Sequence, residues 1–171
     1  MRLDLEKLEE SGGRFARVYE SADLQFDDSD LTLTKPIEVR GRVRRRGNEA
    51  ELIGEIHTTV AIACSRCLKA VELQVDVNFD ERFVDTIAWR EEEQHELLSE
   101  DLNLAVFDGE TIDLDDLIKE EILLSLPARI LCSEDCQGLC PVCGIDRNKA
   151  TCNCETKPND SRWEKLRDIT F

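Results

Sequence analysis

The chain has 171 residues, 41% of them apolar, and its 38 acidic and 22 basic side chains leave a net charge of −16. That is enough for one ordinary domain with a small appendage and a packed core. It argues against wholesale wrapping of nucleic acid, whose phosphates such a charge repels. No apolar run is long enough to cross a membrane, and the charged N-terminus lacks the apolar region of a signal peptide. The expectation is a cytoplasmic protein in a reducing compartment, where clustered cysteines hold metal or do redox work more often than they form disulfides.

Leu3, Leu5 and Leu8 suit a short strand followed by a turn of helix, and Ser11-Gly12-Gly13 breaks it. Arg14 to Glu20 suits a strand, and Phe26 to Asp30 a loop. From Pro36 the period is clear. Ile37, Val39, Gly41 and Val43 alternate with Glu38, Arg40, Arg42 and Arg44, as in a half-buried strand. Gly47-Asn48 is a turn. Leu52, Gly54, Ile56, Thr58, Val60 and Ile62 then share one face, with His57 on the other. After Cys64 to Cys67, the run Val71, Leu73, Val75, Val77 and Phe79 alternates with polar residues. These three runs predict an antiparallel meander, with barrel-like closure as one form of it. The arginines Arg40, Arg42, Arg44, Arg45 and Arg46 make its first strand basic, which is ordinary on a solvent face.

Thr86 to Asp101 reads as an acidic loop pinned by Trp89, Leu102 to Phe107 as a strand, and Asp108-Gly109 as a turn. Leu114, Leu117, Ile118 and Ile122 repeat at helical spacing behind Asp113, which can cap the helix. Asp115 and Asp116 complement its positive end, and Pro127 ends it. Such a helix covers the sheet, its acids forming the solvated side and not a catalytic pair. After Cys154 the polar tail suits a short helix from Ser161 anchored by Trp163, or a frayed end. His57 and His95 suggest no catalytic role. The fold class expected is α+β: a body over residues 1–131 and a cysteine-rich zinc-binding segment over 132–171.

Eight cysteines carry the chemistry: Cys64, Cys67, Cys132, Cys136, Cys140, Cys143, Cys152 and Cys154. Four thiolates satisfy the tetrahedral preference of zinc. Cys140-Pro141-Val142-Cys143-Gly144 has the composition of a zinc knuckle, stiffened by proline and turned at glycine. With Cys152 and Cys154 it makes one four-thiolate site, leaving Cys64, Cys67, Cys132 and Cys136 for a second. A single site from Cys132, Cys136, Cys140 and Cys143 is equally open on spacing. A redox reading also stands, because Arg66 beside Cys67 favours thiolate. A thioredoxin-like enzyme, however, needs its CxxC at a helix start, and CSRC lies between strands.

The run CSEDCQGLCPVCG, the following CxC pair and DSRWEKL, together with ACSRCLKAVELQVDVNF and DLDDLIKEEILLSLP, resemble the YceD/DUF177 family of large-subunit ribosomal RNA accumulation proteins. The resemblance covers roughly Pro36 to Leu166. It implies a bacterial or organellar factor, not an enzyme, that supports accumulation of large-subunit rRNA. The gene commonly lies beside that of a small zinc-ribbon ribosomal protein. Some members keep the first CxxC without the later ligands, which implies that Cys64, Cys67, Cys132 and Cys136 form one unit and Cys140, Cys143, Cys152 and Cys154 another. Many members read Asn-Leu-Asn after the knuckle, where this chain has Ile145-Asp146-Arg147-Asn148. The expected cofactor is zinc, two ions. The expected partner is a basic ribosomal protein, large-subunit rRNA or both, with no membrane and no small-molecule substrate. A thiol redox switch and a zinc chaperone for a ribosomal protein are the alternatives.

Overall fold

The computed structural model describes residues 2–5, 12–26, 31–91, 104–108 and 110–155. The chain divides into two compact units. One comprises Met1–Ile62 with Val71–Ala128, the other Ala63–Ala70 with Arg129–Phe171.

In the first unit the alternating runs become long strands. β4 (Ile37–Arg46) and β5 (Glu49–Ala63) form an antiparallel hairpin with Glu38 opposite His57 and Arg46 opposite Glu49. Gly47, at φ 59°, makes the turn, a left-handed conformation that glycine adopts without steric cost. β6 (Ala70–Asp85) lies beside β5. Ile37, Val39, Val43, Leu52, Ile56, Val60, Val75 and Phe79 are buried on one face, as their period of two requires. Gly41 and Gly54 face each other across β4 and β5 for a reason of space. A Cβ on Gly41 would come within 2.5 Å of the Phe15 ring, and one on Gly54 within 2.5 Å of the Phe79 ring. Each aromatic ring fills the room its glycine leaves.

β2 (Gly13–Tyr19) pairs antiparallel with β4, and β3 (Leu31–Leu33) pairs with the far end of β5. After β6 comes α1 (Thr86–Glu91), where a loop is expected; Trp89 is half-buried there, and residues 92–103 lie outside the described part. β7 (Leu104–Phe107) then joins the sheet parallel to β6. The sheet is therefore mixed rather than a pure meander. Its order, β2-β4-β5-β6-β7 with β3 on β5, is open rather than a closed barrel. A parallel neighbour needs a crossover connection, and the segment from Thr86 to residue 103 supplies its length.

β1 (Arg2–Asp4) and β8 (Thr111–Asp113) make a separate antiparallel pair. Leu5 is buried; Leu8, Ser11 and 27–30 lie outside the described residues, as do Gly109, His95 and the tail from residue 156. α2 (Leu114–Ser125) begins as expected: the Asp113 side chain accepts from the Asp115 N–H at 3.0 Å. Leu114, Leu117, Ile118 and Ile122 turn inward and join the sheet's core cluster. Each such burial contributes about 1.5–3 kcal/mol. The first unit is an α+β body with its own hydrophobic core.

Candidate metal centres

The second unit is built differently. Among its described residues the buried ones are Cys64, Cys136, Gly138 and Cys140. Among these described residues no cluster of buried aliphatic side chains forms a core; the buried side chains carry sulfur. The eight cysteines fall into two tetrads, Cys64, Cys67, Cys132 and Cys136, and Cys140, Cys143, Cys152 and Cys154. Within each the sulfurs all lie within 4.8 Å of one another. The Cys64 and Cys136 sulfurs are 3.8 Å apart, and those of Cys67 and Cys132 are 3.5 Å apart. Four sulfurs at about 2.3 Å from a tetrahedral ion stand about 3.8 Å from each other. The donor sets therefore fit a metal ion at each centre, and no disulfide joins any of the eight. The single site from Cys132, Cys136, Cys140 and Cys143 is not assembled, because that run divides between the two tetrads.

Each tetrad contains the same backbone knuckle. The Leu68 N–H donates to the Cys64 carbonyl at 2.9 Å, and the Gly144 N–H to the Cys140 carbonyl at 2.9 Å. The Cys64 N–H donates to the Lys69 carbonyl at 2.8 Å, and the Cys140 N–H to the Ile145 carbonyl at 2.9 Å. Both turns close through a left-handed residue, Leu68 at φ 61° and Gly144 at φ 72°. In glycine this costs nothing; in leucine it costs about 1–2 kcal/mol. The chain holds Leu68 there because the knuckle's hydrogen bonds demand it. Aligning CSRCL with CPVCG exposes the equivalence, but the leucine hides it from a search for glycine.

The first knuckle is tied to the chain that supplies its other two thiols. Ser65 exchanges two bonds with Ile130: its N–H donates to the Ile130 carbonyl at 2.8 Å and its hydroxyl accepts from the Ile130 N–H at 3.2 Å. The Arg66 guanidinium donates to the Cys136 carbonyl at 2.6 Å, so it braces the ligand loop. Gly138, at φ 71°, lets that loop approach; a Cβ there would stand 2.9 Å from the Arg66 carbonyl oxygen.

Burial of Cys64 opposes its ionisation, yet the N–H groups of Arg66, Cys67 and Cys132 outweigh it and bring the thiol down to about 6. The Cys143 and Val142 N–H groups, against burial, bring Cys140 to about 6. Cys67 moves oppositely: the Lys69 N–H lowers it, but burial and the thiols of Cys132, Cys136 and Cys64 push it up to about 12. Cys154 is pushed up to about 12 by the Cys143 thiol, burial and Cys152. Four like charges cannot form side by side without a cation, so protons divide unevenly within each tetrad. A divalent ion removes that penalty.

Two further polar side chains reach the sulfurs. The Asn148 Nδ2 donates to the Cys136 sulfur at 3.5 Å, and the Arg147 guanidinium lies 3.8 Å from the Cys140 sulfur. Sequence reading assigns neither a role, because each partner is chosen by the folded loop and not by spacing.

Fold and centres together define the class: an α+β protein with two four-cysteine clusters able to hold metal. The chain belongs to the family described as "Large ribosomal RNA subunit accumulation protein YceD", which matches residues 52–170. It is 27% identical over 143 residues to an uncharacterised Bacillus subtilis protein, YlbN, covering 83% of this chain and 78% of that one. It is 37% identical over 103 residues to an uncharacterised Mycobacterium tuberculosis protein, Rv2926c, covering 60% and 47%. It is 25% identical over 157 residues to the maize protein named "Large ribosomal RNA subunit accumulation protein YCED homolog 1, chloroplastic", covering 79% and 53%. The matched region thus spans about half the length of the mycobacterial and maize relatives. No solved structure matches the chain.

Proposed function

We propose that this protein is a non-enzymatic, cytoplasmic factor that supports assembly of the large ribosomal subunit and accumulation of its rRNA, with two zinc ions fixing the second unit. The observation that carries the zinc reading is that, among the second unit's described residues, the buried side chains are cysteines and the eight thiols gather into two sets of four. Zinc suits four thiolates at this spacing, and a segment this polar folds by binding metal. The ligands are Cys64, Cys67, Cys132 and Cys136 for one ion and Cys140, Cys143, Cys152 and Cys154 for the other. The metal is architecture; function lies in the surfaces of the protein.

The family description supports the ribosomal part of the reading. So does a cavity of about 590 Å³ in the first unit, rimmed by Glu81, Asp116, Glu120 and Glu121 over Phe83 and Leu117. Burial, with repulsion from neighbouring carboxylates, raises both Glu81 and Glu121. A cationic partner relieves that repulsion, which suits a basic ribosomal protein.

Metal analysis with thiol titration on anaerobically purified protein tests the centres: two zinc ions and no reactive thiol are expected. One zinc with four reactive thiols sinks the assignment and favours a redox switch. Depleting the protein should lower large-subunit rRNA relative to small-subunit rRNA; an unchanged ratio overturns the ribosomal role. Exposure of Cys132 and Cys143 favours zinc delivery to a ribosomal protein as the second reading. It requires zinc to exchange with a chelator within minutes.

A further inference from the structure

Outside the metal centres, the solvent face of the sheet carries a concentration of arginine that the fold does not explain. Arg40, Arg42, Arg44 and Arg46 project from β4 on its exposed side, one at every second residue. Arg14 on β2 stands directly opposite Arg42. Like charges directly opposite on paired strands destabilise a sheet, so this register opposes folding. On the other flank carboxylates stand opposite the remaining arginines: Glu55 opposite Arg40, Glu51 opposite Arg44 and Glu49 opposite Arg46. Opposite Arg42 is Ile53. Arg40 pairs with Glu38 at 3.5 Å, while no ion pair engages Arg14, Arg42 or Arg44 among the described residues. Beside them lies a shallow depression of about 380 Å³, lined by Arg14, Arg40, Arg42, Ile53, Glu55 and Asn78 together with Gly41 and Gly54.

We propose that this face, centred on Arg42, binds the phosphate backbone of single-stranded RNA, with a base entering the depression over Ile53. The guanidinium forks take phosphate oxygens in pairs, which ammonium groups do less well. A strand that places a cation on one face at every second residue presents them in a line, as a polyanion does its charges. Ile53 offers an apolar floor, and the Asn78 amide offers both a donor and an acceptor to a base edge. The overall charge of −16 keeps such binding weak at a distance and confines it to this patch. The choice of RNA over an acidic polypeptide rests on the large-subunit reading above.

The test uses the 171-residue chain loaded with zinc and a fluorescein-labelled single-stranded RNA of about 20 nucleotides, followed by anisotropy across a salt series. Arg42→Gln should weaken binding several-fold and reduce the slope of log affinity against log salt by about 0.7; Arg14→Gln with Arg42→Gln should reduce it by about 1.4. Arg45→Gln makes the same charge change on the opposite face of the same strand, and should leave slope and affinity unchanged. Equal losses in Arg42→Gln and Arg45→Gln overturn the site, as does salt-independent or absent binding by the unaltered chain. Displacement of the RNA by polyglutamate at equal charge concentration overturns RNA in favour of an acidic polypeptide. The ribosomal reading fails by a different result, an unchanged rRNA ratio on depletion, so the two can fail separately.

Discussion

Asn148 is three-way hydrogen-bonded. Its Oδ1 accepts from the Gln137 N–H at 2.8 Å, while its Nδ2 donates to the Cys136 sulfur and to Asp146 Oδ1 at 2.8 Å. The carboxamide thus links residues 137 and 146 and puts a donor on the Cys136 sulfur, whose ionisation it favours. Asn148→Asp replaces that donor with a like charge. Outer partners of metal ligands are worth about 10–100-fold in affinity. The expected outcome is that loss at the first tetrad only, read by chelator competition as one zinc leaving early. Equal weakening of both ions would show that Asn148 acts on the whole segment. Leu68 makes a contrasting case: exposed and aliphatic, it contributes through its backbone, by its left-handed dihedral and its N–H bond to the Cys64 carbonyl.

At the scale of elements, the β5 and β6 strands are joined by charge as well as by their ladder. The His57 Nδ1 lies 2.7 Å from Asp76 Oδ1, and Gln74 donates to Asp76 Oδ2 at 2.7 Å. The hydrogen bond to Asp76 raises His57, helped by Glu55. The bond to His57 lowers Asp76. The raised histidine adds stability that is full below its ordinary value of 6.5 and is lost as pH rises through its higher folded value. The lowered carboxylate adds stability that is present above its ordinary 3.8 and is lost as pH falls through its lower folded value. Both contributions are complete between about pH 4 and 6.5. An NMR titration of the His57 ring should show a midpoint above 6.5 that drops in Asp76→Asn; an unmoved midpoint would contradict the pair. Both groups are exposed, so this pair tunes the strands and does not decide the fold.

At the scale of the molecule, the two units are held by different physics. The first buries a cluster that includes Tyr19, Ile37, Leu52, Ile56, Ile118 and Ile122. Among its described residues, the side chains that the second buries are cysteines. A chelator should therefore act unequally. Far-UV circular dichroism of the β-rich body should persist, while trypsin cleavage after Arg129, Arg147 and Lys149 should accelerate. Loss of the sheet signal in step with cleavage would show that metal supports the entire chain. The body's two charged surfaces, the carboxylate-rimmed cavity and the arginine face, lie within the one unit that has the hydrophobic core.

The local pattern of the sequence sufficed for β4, β5, β6 and α2. Their burial follows a period of two or 3.6, and Asp113 caps its helix through a neighbour two residues away. The family resemblance, resting on the cysteine motifs, is confirmed by the match over residues 52–170. The β4-β5-β6 meander followed from three successive alternating runs, but pairing between strands distant in the chain was not legible, because hydrogen bonds between strands leave no trace in either strand alone. Hence β7 was readable as a strand but not as a parallel one, and β1 not as the partner of β8. The same limit applies to the sites. Spacing proposed the cysteines, but only the folded backbone shows Leu68 in glycine's conformation, Asn148 on the Cys136 sulfur and Arg14 against Arg42. A side-chain period is written locally along the chain. Register, handed turns and the approach of distant groups are set by closure of the whole, and those are what shape the two centres and the arginine face.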